Sequence, residues 1–407
     1  MAQLIFIHRQ SQTSIPTEKP FLGFASPRLS RWISFTLTAV AVWVLVMPVP
    51  SHSFPVRLIH PFIQAAARQS VPIKLSFPSS VIVGPSGEFF IADKSEHIIR
   101  RLDPQTGQIT IIAGTGSAGF SGDRGPALKA QLAGPYALAF DGDHILLIAD
   151  TTNQRIRALD LKTGIITTVA GNGQADFAGD GGAATTAALN HPFGVAVDPH
   201  GNILITDTLN HRIRRVDHKT GKISTVAGTG KAGFGGDQGP ATAAQLNLPR
   251  SLIVDPQGNI FVSDLGNNRV RRIDGETGDI STIAGTGVRG FQGDDGPAIE
   301  AQLFEPSGLA WAGDGQLLIA DAANHRIRRV DFKTGIIVTV AGNGAGGFTG
   351  DQGLAPHASL LQPRGIAVDG AGNVVIADSS NHCLRLVKAS DGTISTITGT
   401  VAATPSQ

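Results

Sequence analysis

A strict period constrains this chain more than any other feature in it. Proline stands at 78, 135, 192, 249, 306 and 363, each 57 residues after the last, with no insertion or deletion. Asp93, Asp150, Asp207, Asp264, Asp321 and Asp378 keep the same step, as do Arg100, Arg157, Arg214, Arg271, Arg328 and Arg385. Glycines 114, 171, 228, 285, 342 and 399 form a fourth ladder. Four ladders in phase across six copies mean six copies of one supersecondary unit. The third copy shows its content. PFGVAVDPHGN, NILITDTLNH, RIRRVDHKTG and KISTVAG each read as a short strand with period-2 character and β-branched enrichment, closed by a turn. Four antiparallel strands cannot bury both faces alone, whereas six such sheets arranged radially bury every one. The expected fold is all-β: a six-bladed β-propeller of four-stranded antiparallel blades.

The repeats run 78–134, 135–191, 192–248, 249–305, 306–362 and 363–401, inside a propeller expected over 75–401. Residues 54–74 read as a linker or ring-closure segment and 402–407 as a tail; the sequence leaves the manner of closure open. A connection of about 20 residues follows each fourth strand, too long for a structureless link in a compact domain. It is GTGKAGFGGDQGPATAAQLNLP in copy 3. Phe120, Phe177, Phe234, Phe291 and Phe348 recur within it, and Leu75, Leu132, Leu189, Leu246, Leu303 and Leu360 near its end. Both sets read as apolar anchors pinning the loop to the blade tops. PATAAQL reads as one or two helical turns with Pro240 at the first helical position. Five loops are present, because the segment before copy 1 keeps only the terminal Leu and Pro.

NHRIRRVD at 210–217 and 324–331, the IADxxNHRIR pattern, and FxGDxGPA followed by AQL resemble the NHL repeat. The likeness is to the long-loop form of teneurins and bacterial secreted NHL-repeat proteins, and it covers residues 75–401. It implies the six-bladed fold, and a platform for peptide, protein or RNA rather than one set activity.

Residues 1–53 differ from the rest. Arg9, Lys19, Arg28 and Arg31 face one acid, Glu18, before the charge-free run Trp32–Met47. Ser51 and Ser53 then offer a small-x-small cleavage site. A signal peptide or an N-terminal membrane anchor is expected, placing the protein in the periplasm, at the surface or outside the cell. Charge over the whole chain is balanced, 33 Lys+Arg against 32 Asp+Glu, so no general electrostatic case for nucleic acid exists. Cys383 is the only cysteine and reads as a buried, inert thiol; no intrachain disulfide is possible.

Positions identical in every blade read as architecture, the Asp–Arg ladders included. The loop aspartates 123, 180, 237, 294 and 351 offer one carboxylate each among glycines, too few for calcium, and read as Asx-type turn residues. His97, His211 and His325, with His382 beside them, lie on alternate blades and on an outer turn, too far apart for one zinc. No hydrolase or metalloprotease signature occurs, and no cofactor, metal or catalytic residue is expected. A ligand site should instead use positions where the blades differ. After each proline the copies read Ser79, Tyr136, Phe193, Arg250, Ser307 and Arg364; before it they read Phe77, Gly134, His191, Leu248, Glu305 and Gln362. These positions open the innermost strands at the mouth of the central channel. Tyr136, Phe193, Arg250, Ser307, Arg364, His191 and Glu305 are the candidate binding residues. Arg250 and Arg364 are expected to converge on one anionic ligand, with Tyr136 and Phe193 as an opposing aromatic wall. The expected function is a monomeric, non-catalytic scaffold for a peptide, protein or glycan. The alternative is a metal-dependent lyase or lactonase-like hydrolase, against which small residues at Ala137, Gly194, Gly308 and Gly365 speak.

Overall fold

The computed structural model describes residues 71–73, 75–397 and 399–401. They form a six-bladed propeller of antiparallel four-stranded sheets. The first strands, Pro78–Val83, Pro135–Asp141, Pro192–Val197, Pro249–Val254, Pro306–Trp311 and Gly365–Val368, contact one another around the ring and line its centre. Among the described residues no helix is long and apolar enough to cross a membrane. The expected export segment 1–53, most of the 54–74 segment and the 402–407 tail lie outside the described residues.

The core is divided into six wedges, one between each pair of neighbouring blades. Each wedge packs aliphatic side chains of second strands with those of the neighbour, so the blades share every apolar face they bury. The wedge between blades 6 and 1 joins Val375, Ala377 and Leu384 to Val81, Phe89 and Ile91, with Leu75 from the N-terminal segment. Closure also has a backbone component that the sequence left open. Val71–Ile73 pairs antiparallel with Gly399–Val401, Val71 opposite Val401 and Ile73 opposite Gly399. The latter strand contacts the outermost strand of blade 1, Ile109–Ala113. The two ends of the propeller thus fill the place of a sixth loop.

The five long loops cross to the next blade instead of resting on their own. Gly125–Pro126, Gly239–Pro240 and Gly296–Pro297 add a short edge strand to the outermost strand of the following sheet. Where the proline is replaced, at Ala183 and Leu354, only a single bridge forms. The helical turns expected over PATAAQL shrink to one 3-10 turn, Ala241–Ala243, with Pro240 preceding it in extended conformation. An edge strand suits proline because the missing N–H faces no partner.

The ladders hold these parts together. Each ladder Asp accepts the backbone N–H of the residue two before the repeat proline, from Ser76, Ala133, Asn190, Asn247, Phe304 and Leu361, at 2.7–2.8 Å. It also pairs with the ladder Arg seven residues on, at 2.8–3.5 Å. In blades 2–6 that Arg reaches a second carboxylate, the loop Asp arriving from the preceding blade: Arg214–Asp180 and Arg271–Asp237 are both 2.6 Å apart. The loop aspartates are therefore cross-blade ion-pair partners, not turn residues; Asp180 also accepts the Thr225 hydroxyl at 2.7 Å. The loop phenylalanines likewise differ from expectation. The leucines are buried, but Phe120, Phe234, Phe291 and Phe348 are 40–52 % exposed. Phe120 and Phe234 lie 3.7 Å from the guanidinium carbons of Arg155 and Arg269, offering their π faces to cations. Cys383 replaces that arginine in blade 6; it is half-buried, and burial pushes its thiol up to about 12.

The glycine ladder follows from one close approach. At φ near +90° a Cβ on Gly114, Gly171, Gly228, Gly285 or Gly342 would overlap the carbonyl oxygen of His97, Gln154, His211, Asn268 or His325. Those five residues and His382 adopt the left-handed conformation, and their side chains staple neighbouring blades. His97, His211, His325 and His382 accept, through Nδ1, the N–H of Gly134, Leu248, Gln362 and Phe77 at 3.1–3.2 Å. Gln154 and Asn268 do the same through their amide oxygens.

Candidate binding site at the channel mouth

The site begins with the staples. Each fixes the N–H of a residue before a repeat proline, so Phe77, His191, Leu248, Glu305 and Gln362 are held at φ between 48° and 62°. Left-handed backbone costs a non-glycine residue about 1–2 kcal/mol, a strain that the staple offsets. The repeat prolines come next, and the residue after each of them lines the channel. Small residues follow because neighbouring strands nearly touch: a Cβ on Gly194 or Gly308 would strike the carbonyl oxygen of Arg250 or Arg364. Their size is a packing requirement.

The channel is a cavity of about 380 Å³ touched by Tyr136, Phe193, Arg250, Ser307 and Arg364. Its described lining holds two arginines and no carboxylate. His191 and Glu305 do not line it. The His191 ring lies 6.4 Å from Phe193 at the rim, with Nδ1 3.1 Å from Asn190 Oδ1. Glu305 acts on Arg250 through charge, without a direct bond. Ser79 is committed to architecture; its hydroxyl donates toward the carbonyls of Pro135 and Tyr136 at 3.1 and 2.9 Å.

The two arginines differ. Arg250 does not stand opposite the aromatic wall but lies on it, 4.7 Å from the Tyr136 ring and 4.9 Å from Phe193, which meet edge to face at 4.6 Å. Its Nε donates to the Tyr136 hydroxyl at 2.8 Å. A desolvated guanidinium gains from π faces and a phenol oxygen what it loses in water. Arg364 has much less. Nη2 approaches Gln362 Oε1 at 3.5 Å, the ring of Phe77 lies 5.5 Å away, and buried Nε and Nη1 have no partner among the described residues.

Lys94 completes the cluster, and sequence reasoning missed it. It is half-buried, with Nζ 5.1 Å from the Phe77 ring. The position after the ladder Asp reads Lys94, Thr151, Thr208, Leu265, Ala322 and Ser379. Thr151, Thr208 and Ser379 donate to the next blade's proline carbonyl at 2.6–2.8 Å. The one cation in this small-residue ladder was the available signal, as was Gly134, which leaves room for the lysine stem.

The field at the mouth is positive. Burial lowers the Lys94 ammonium, and Arg250 and Arg364 lower it further. Burial also lowers Arg250, with Arg364 adding to it. For Tyr136 burial acts upward, but Arg250 and Arg364, with hydrogen bonds from Ser307 and Arg250, hold the phenol below its ordinary range. Anions are what this mouth can take, through charge-assisted hydrogen bonds. Among the described residues no cluster of three or more His, Cys, Asp or Glu has metal-binding proximity.

Comparison with known proteins agrees with the repeat. The teneurin NHL domain matches residues 169–233 and the NHL repeat matches 360–385. NHL repeat-containing protein 2 from Gallus gallus is 29 % identical over 355 residues, covering 78 % of this chain and 47 % of its own. Teneurin-4 from Mus musculus is 30 % identical over 353 residues, 77 % of this chain and 12 % of its own. The chain thus spans less than half the length of either relative. An auxiliary nutrient binding protein from Bacteroides thetaiotaomicron superposes with a TM-score of 0.57 at 15 % identity, over 77 % of this chain and 69 % of that one. At that identity the likeness concerns the fold alone. With the ladders, the blades and these matches in agreement, the chain is a six-bladed β-propeller that carries NHL repeats and is similar to NHL repeat proteins and teneurins.

Proposed function

We propose that this protein is an exported, non-catalytic binding propeller that captures an anionic ligand at the mouth of its central channel. One observation carries the reading. Arg364 keeps two buried nitrogens without a partner among the described residues, beside Arg250 and Lys94, in a cavity whose described lining holds no carboxylate. A buried polar group normally finds a partner, and a charged one is costly without it. A carboxylate, an acidic peptide or an acidic glycan would supply the missing acceptors. Export is supported by the basic segment and apolar run of residues 1–53.

Two experiments test the reading. Calorimetric titration with inorganic sulfate, acetate and acidic oligopeptides should show saturable binding that weakens about tenfold or more in Arg364→Met, as expected for a lost charge-assisted contact. Binding that Arg364→Met leaves unchanged would place the ligand elsewhere. Fusing residues 1–60 to a reporter active only outside the cytoplasm should give activity; a silent fusion would refute export.

A further inference from the structure

We infer that the ligand is an amphiphile, a slender apolar chain headed by a carboxylate, held head-up in the central channel. This rests on the proposed anion-binding mouth and adds what lies beneath it. The charges in the channel are confined to one end. Arg250 and Arg364 stand at the start of the innermost strands. Below them the same cavity is lined by Ile82, Ala139, Ala196, Ile253 and Val254, ending at Trp311. Ser307 and Trp311 are four residues apart in one strand, so this apolar stretch is about 13 Å deep. A purely hydrophilic anion would leave it unused. A bulky one would not enter, because Gly194 and Gly308 mark where neighbouring strands already touch. A volume of about 380 Å³ lies within the range of small-molecule pockets, toward its lower end. A carboxylate on a linear alkyl chain fits both ends: its oxygens meet Arg364 and Lys94, and its methylenes replace water along the aliphatic wall.

The test is a homologous series titrated into the full chain below the micellar range: acetate, hexanoate, octanoate and decanoate, with octyl phosphate and inorganic phosphate alongside. Affinity should rise about fourfold for each added methylene, following the ordinary gain for burying one. Arg364→Met, melting as the wild type does, should weaken decanoate about tenfold or more. Octyl phosphate binding more tightly than octanoate would overturn the carboxylate head. Anions that bind with no dependence on chain length would overturn the amphiphile while leaving the mouth as an anion site. Chain-length dependence should persist in Arg364→Met at uniformly lower affinity; decanoate binding that Arg364→Met leaves undiminished would place the head elsewhere and overturn it as well. If neither acetate, inorganic phosphate nor any chain binds, the anion-binding reading fails together with it.

Discussion

Two groups of arginines in this propeller bury guanidinium nitrogens, in different surroundings. Arg157, Arg214, Arg271, Arg328 and Arg385 repeat with the blades, and each lies between two carboxylates, the ladder Asp and the loop Asp. Their side chains are fully buried. Several keep an Nε without a hydrogen bond, yet their charge is balanced. Among the described residues Arg364 has no such neighbour; its polar contact is the neutral Gln362 amide. Repetition marks residues whose charge the fold uses up, and divergence marks charge that the described residues leave unbalanced, which is what the proposed anion site would use. Arg100 is intermediate. Among the described residues Arg100 pairs with Asp93 alone, since the sequence before blade 1 carries no loop Asp, and Glu96 stands where blades 2–6 carry an asparagine.

The largest expected effect lies in the repeated population. Arg214→Ala strands Asp207 in the core and should cost about 3–5 kcal/mol of stability in denaturant unfolding. Arg100→Ala, with one carboxylate to strand, should cost less. Equal losses would mean that the cross-blade pair to Asp180 contributes nothing. By contrast Arg364→Met should leave the unfolding midpoint nearly unchanged and reduce anion binding; a large drop in stability would make Arg364 another scaffold residue.

A smaller effect concerns the staples. Burial, with Arg212 and Arg326 adding to it, holds His211 and His325 below their ordinary value of 6.5. The unfolded chain therefore takes up these protons first, so the staples' contribution is present above pH 6.5 and lost as pH falls through that value toward the lower folded one. Burial pushes Asp264 and Asp321 up to about 6, and this acts oppositely: that contribution is present at low pH and lost as pH rises through 6. Comparing the wild type with His211→Gln/His325→Gln isolates the histidines, since Gln154 already serves as a staple in blade 2. The variant should gain in relative melting temperature between pH 7.5 and 5.5; a pH-independent difference would contradict neutral histidine staples. The smallest effect is expected for Phe234→Ala, about 0.5–1 kcal/mol for one exposed cation–π stack on Arg269. A loss of several kcal/mol would restore the apolar-anchor reading of the loop.

Much of this was legible in the chain. Blade number and strand order followed from four ladders, and the mouth from the places where repetition breaks. The loop crossings were not legible, because Asp180 and Arg214 are 34 residues apart and pair only across blades. A clue lay in the count: six ladder arginines face five loop aspartates. Closure was hidden because Val71–Ile73 and Gly399–Val401 pair through backbone groups, which no side-chain pattern records. Arg250 was placed at the mouth but not on its aromatic wall. Nothing in LPRSL reports that Tyr136, 114 residues earlier, offers its hydroxyl.

The most direct test compares one arginine from each population with ligand present. Melting temperature would be followed as decanoate or sulfate is added to the wild type, Arg364→Met and Arg100→Ala. A ligand bound only to the folded state stabilises it as its concentration passes the dissociation constant. The wild type and Arg100→Ala should rise in parallel from different starting points, while Arg364→Met starts near the wild type and rises only at about tenfold higher ligand concentration or beyond. Equal rises in all three proteins would contradict the assignment of Arg364 to the ligand.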